Sequence, residues 1–79
     1  MRKIKKLVGH MKDELHDAEH YARDAVSTKD EDRSLGDLYI QLAREELNHC
    51  HMEHDQVVRI INERREASEQ LREVMMQIW

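Results

Sequence analysis

Apolar residues first recur along this chain in alternating steps of four and three. Leu7, Met11, Ala18, Tyr21 and Ala25 fall on one stripe, with Glu14 occupying a stripe position between them. That is the period of one helix face, and Ile4, Val8, Leu15, Ala22 and Val26 widen the face to one side. A first helix is predicted over about residues 4–27, with Gly9 inside it as a weak point. The period then stops: "STKDEDRSLGD" has no apolar residue until Leu35, and a loop is predicted over about 28–34. Ser34 followed by Asp37 resembles a capping box, and Asp30 is an alternative N-cap one turn earlier.

The pattern resumes with Tyr39, Leu42, Glu46, His49, Glu53, Gln56 and Ile60 on one stripe, flanked by Leu38, Ala43, Leu47, Cys50, Val57 and Ile61. This predicts a second helix over about 35–62. From about 63 to 79 the period continues through Ala67, Leu71, Val74 and Ile78. No Pro or Gly divides this segment from the second helix, yet the polar interval Asn62–Glu66 leaves one long helix and two shorter ones both open. The fold class is therefore all-α and single-domain: an antiparallel helical hairpin with a C-terminal helical segment. Two helices with faces this wide do not cover each other. A further segment or another chain must, and Met75, Ile78 and Trp79 read as a packing surface for another subunit.

Composition narrows the picture. A chain of 79 residues builds a core worth only about 3–5 kcal/mol, so a disulfide, a metal or a partner chain is expected to supplement it. Cys50 is the only cysteine, which leaves the metal and the partner and fits a reducing compartment. The net charge of −4 gives no support for nucleic-acid binding, and the small cluster Arg2, Lys3, Lys5 and Lys6 reads as a solvated first turn. No apolar run reaches membrane-spanning length and no signal-peptide pattern opens the chain, so a cytoplasmic homo-oligomer without nucleic-acid or membrane partners is expected.

The candidate chemistry lies in the stripes themselves. Burying carboxylates is costly unless they are hydrogen-bonded, protonated or bound to a metal. Glu14 sits in the first stripe, and Glu46 and His49 sit one turn apart in the second, within "AREELNHCHMEH". A carboxylate beside a neutral imidazole suits iron, manganese or zinc, and Glu14 would add a third ligand. Glu53, one turn on, is a candidate extra metal ligand or a point on an iron access route. His10, one turn before Glu14, is the most plausible additional imidazole. Tyr21 is a candidate hydrogen-bond donor to a ligand carboxylate or a core residue. His16 and His20 fall on the polar face, His51 and His54 on the far side of the second helix, and Cys50 reads as a small core residue.

Glu-x-x-His on one helix opposite Glu on its neighbour resembles the di-iron motif of the ferritin-like superfamily, which includes the rubrerythrins. Glu14, Tyr21 and Ala25 resemble the rubrerythrin-like first helix and "LAREELNH" the second, so the likeness covers about residues 10–60. The half-set in one chain also resembles the encapsulated ferritins, two-helix proteins whose ferroxidase centre forms between subunits. The resemblance implies a four-helix bundle completed by dimerisation and a di-iron cofactor. Glu14 and Glu46 would be its carboxylates and His49 its imidazole in Fe(II) oxidation by oxygen. A C-terminal encapsulation tail and the cysteine pairs of a rubredoxin domain are not seen, so shell storage and rubrerythrin peroxidase chemistry are not implied. Two other functions fit the pattern: a non-enzymatic helical adaptor, and a redox-inactive protein holding zinc.

Overall fold

The structure is a computed structural model describing residues 2–78, with the side chain of residue 78 excepted; Trp79 therefore lies outside the described residues. Two helices account for nearly all of it: α1, Arg2–Thr28, and α2, Arg33–Ile78. The fold is all-α. The interval that left two arrangements open is settled in favour of one helix, because α2 runs for 46 residues without a break. In the absence of Pro or Gly, the i,i+4 pairs Arg59–Glu63 (2.8 Å) and Arg65–Glu69 (3.7 Å) span the polar stretch.

The connection is shorter than predicted. The N–H of Lys29 still bonds to the Ala25 carbonyl (3.0 Å) and that of Asp32 to the Thr28 carbonyl (2.9 Å). The N-cap of α2 is neither Ser34 nor Asp30 but Asp32, whose Oδ1 accepts the N–H of Leu35 at 3.1 Å. Ser34 lies too late to cap because α2 has already begun at Arg33. The turn is this tight because Lys29 lies directly against Gly36: a Cβ on Gly36 would stand 2.8 Å from the Lys29 Cα. Asp32→Ala is expected to cost about 0.5–2 kcal/mol, read as a lowered midpoint in urea unfolding of the metal-free protein at fixed concentration.

Residue numbers fall along α1 as they rise along α2. Lys29 meets Gly36 at one end, Met11 faces Cys50 midway, and Lys3 shares a hollow with Ile60 near the other. Small residues make the centre of this contact. Ala18, Ala25, Ala43 and Cys50 are its buried apolar residues, and Gly36, Ala43 and Cys50 follow one another at steps of seven. The sequence pattern placed Ala43 and Cys50 beside the second stripe; the structure puts them at its heart. Small side chains let the two backbones approach most closely there, which turns the Leu42–Glu46–His49 stripe toward one edge of the contact.

Little else is covered. Among the described residues no large side chain is fully buried, and Leu15, Val26 (69% exposed), Leu38, Ile40, Leu47 and Ile61 stand open. The molecule measures 73 × 16 × 12 Å, close to the roughly 70 Å expected of α2 alone at ~1.5 Å per residue. Because α1 reaches only as far as the neighbourhood of Ala67, the stretch from Ser68 onward projects alone, exposing Leu71, Val74, Met75 and Met76.

Candidate metal centre

Glu14 reaches the site from the middle of α1, and Glu46 and His49 reach it from the first half of α2. The rigid i,i+3 relation on α2 sets the last two on one face, and the short turn at Asp32 sets the register that brings Glu14 opposite them. One donor atom from each of these three residues lies within 4.8 Å of the other two. His49 Nδ1 stands 3.9 Å from Glu14 Oε1 across the two helices. Ligands about 2.1 Å from a common ion stand roughly 3.0–3.4 Å apart when adjacent and about 4.2 Å apart when opposite, so a shift of about 0.5 Å brings the His49 and Glu14 donors to adjacent spacing. His49 is 54% exposed and Glu14 22%, so the set forms a groove open to solvent.

Glu53 joins the same groove one helical turn along. It meets His10 of α1, with Glu53 Oε2 3.3 Å from His10 Nδ1. Its other oxygen, Oε1, and Oε2 of Glu14 are shut away from solvent without a hydrogen-bond partner. Two ionised carboxylates in this position have no donor between them, and a proton resolves the conflict. The Glu14 carboxyl is accordingly raised above its ordinary range, first by the hydrogen bond it then shares with Glu53. Desolvation and the Glu53 charge push in the same direction, as does the charge of Glu46, while His49 opposes them. A divalent cation would satisfy the same oxygens without the proton. The orphaned oxygens and the mixed carboxylate–imidazole donors thus fit a hard or borderline metal ion.

No protein family, curated protein or solved structure matches this chain. The site is read from its own geometry.

The other residues singled out by the sequence pattern fall outside it. The Tyr21 ring stacks on Tyr39 with centroids 6.4 Å apart, and among the described residues no hydrogen bond ties its hydroxyl to a ligand carboxylate. His16 and His20 stack on each other in solvent, centroids 6.2 Å apart. His51 is exposed beside Asp55 (3.8 Å), and His54 is exposed as well. Cys50 is buried, its thiol directed at the Met11 carbonyl at 3.9 Å.

A pH effect follows from the Glu14 carboxyl. Its native pKa is raised while its unfolded pKa is ordinary, so the folded state binds that proton more tightly. The resulting stability is present below the ordinary carboxylate range and is lost as pH rises through the native pKa. Glu14→Gln removes the titrating group. In metal-free protein the melting temperature of Glu14→Gln minus that of the wild type should therefore grow between about pH 4.5 and neutrality; a pH-independent difference would contradict the assignment.

Proposed function

We propose that this chain is a ferritin-like di-iron carboxylate protein. In this reading, two antiparallel helical hairpins pair face to face, and Glu14, Glu46 and His49 of each copy contribute to a centre where Fe(II) is oxidised by oxygen and sequestered. The observation that carries it is the convergence of the Glu14, Glu46 and His49 donors across two helices. Pairing is supported by the absence of any fully buried large side chain among the described residues and by the apolar residues left open. A chain this small gains much of its stability by covering such a face. The lone free cysteine is in keeping with a reducing cytoplasm.

When bound, iron supplies the redox step, each Fe(II) giving one electron to oxygen. The chain's part is to hold and orient the ion. Glu14 and Glu46 would hold the ion and supply negative charge that favours the ferric product. His49 adds a neutral donor that limits the total charge of the site.

The test is anaerobic Fe(II) titration of metal-free protein followed by desalting, then admission of oxygen with an electrode recording its uptake. At least about one retained iron per chain, with oxygen consumed on mixing, is the expected result. Retention of Zn(II) or Fe(II) without oxygen uptake would replace the ferroxidase reading with a redox-inactive metal protein. No retention of any divalent ion by a folded oligomer would leave a helical adaptor.

A further inference from the structure

The Glu14–Glu46–His49 set does not account for a second cross-helix pair in the groove. That pair is His10 and Glu53, and both its separation and its surroundings have the character of a ligand pair. At 3.3 Å, His10 Nδ1 and Glu53 Oε2 already stand at the roughly 3.0–3.4 Å spacing of adjacent donors on one ion, whereas His49 and Glu14 at 3.9 Å do not. Glu14 lies one turn from His10 on the same helix, with its carboxyl in the neighbourhood of Glu53. Among the described residues, its Oε2 and the Oε1 of Glu53 are shut from solvent without partners. Glu53 is only 18% exposed, so its carboxylate is held in the groove and does not range through solvent.

From this juxtaposition we infer a second divalent-cation position within a single chain, held by His10, Glu53 and the inner oxygen of Glu14, with Glu14 bridging it to the Glu46–His49 position. The inference rests on the metal-binding reading above and changes its stoichiometry: each chain offers two adjacent positions, one on either side of Glu14. The donor set is one imidazole and two carboxylates at both positions, so both take the same class of ion, a divalent first-row metal. Lys3, Lys6 and Arg59 line the hollow next to His10, so the general field there does not attract cations. Direct ligation by His10 and Glu53 supplies the affinity, and the second position is the weaker of the two.

The test uses Co(II), counted by equilibrium dialysis of the full chain under argon and followed by its visible absorption. The wild type should bind about two Co(II) per chain in two steps of different affinity. His10→Ala and Glu53→Gln should each remove the weaker step and keep the tighter one. Glu46→Gln and His49→Ala should each remove the tighter step and keep a Co(II) whose spectrum is sensitive to His10→Ala. His10 is half exposed, so His10→Ala keeps the helix pair intact, which far-UV circular dichroism verifies. A single Co(II) per chain that His10→Ala leaves unchanged overturns the second position while leaving the Glu14–Glu46–His49 reading in place. No bound Co(II) at all overturns both.

Discussion

Replacing Glu46 by Ala is expected to abolish tight divalent-metal retention at the Glu14–Glu46–His49 position, whereas His16→Ala should leave it at the wild-type level. Glu46 is half-buried in the groove and belongs to the converging donor set; His16 lies in solvent against His20. Loss of one of three protein ligands should weaken binding by at least about a hundredfold, or about 2.7 kcal/mol. The same substitution has the opposite effect on metal-free protein. Glu46 is one of the negative groups that raise the Glu14 carboxyl, so removing it relieves repulsion and the metal-free melting temperature holds or rises. A wild-type chain that gains thermal stability with Fe(II), beside a Glu46→Ala chain that does not, is the combined signature, because binding to the native state stabilises it by mass action. If Glu46→Ala and His16→Ala alter metal retention equally, the site assignment is wrong. A purely structural role for Glu46 predicts a lower metal-free melting temperature, which this experiment also reads.

Much of this geometry was legible in the chain, for identifiable reasons. Both helices announce themselves through their apolar period, and Glu14, Glu46 and His49 stand out because polar residues interrupt that period at matching places. What escaped was rotation and register. A reading weighted toward large apolar residues makes Leu42 and Tyr39 the centre of α2, but the buried line is Gly36, Ala43 and Cys50. Those residues carry little hydrophobic weight, yet their spacing of seven, opposite Ala18 and Ala25, is itself a signal of close helix approach. The cap was missed because Asp32 lies between the two candidates, Asp30 and Ser34, and all three side chains are competent; the approach of Lys29 to Gly36 decides among them. The meeting of His10 with Glu53 depends on that same turn length, since one residue more or less would rotate the facing pairs. The continuity of α2 rests on an absence of breaking residues, which a sequence shows only negatively.

The two glycines turn that lesson into a second large effect, of opposite sign at the two sites. Gly9 lies in the interior of α1, and a Cβ there meets nothing within 4 Å. Gly9→Ala therefore gains the helix-propensity difference of about 1 kcal/mol at no steric cost. In a domain of this size that is roughly 4–8 °C in melting temperature. Gly36 has the same propensity to gain, but its Cβ would lie 2.8 Å from the Lys29 Cα and 2.9 Å from the Lys29 Cβ. The first of these is backbone, so no side-chain rotation relieves it, and the turn and the start of α2 must move apart. Overpacking of this kind costs about 1–3 kcal/mol, which outweighs the propensity gain. Melting curves at one protein concentration, without metal, should place Gly9→Ala above the wild type and Gly36→Ala below it. The damage also propagates: opening the turn separates Glu14 from Glu46 and His49, so Gly36→Ala should weaken metal binding although it touches no ligand. A Gly36→Ala chain as stable as Gly9→Ala and binding metal normally would show that the two helices do not meet at Lys29 and Gly36.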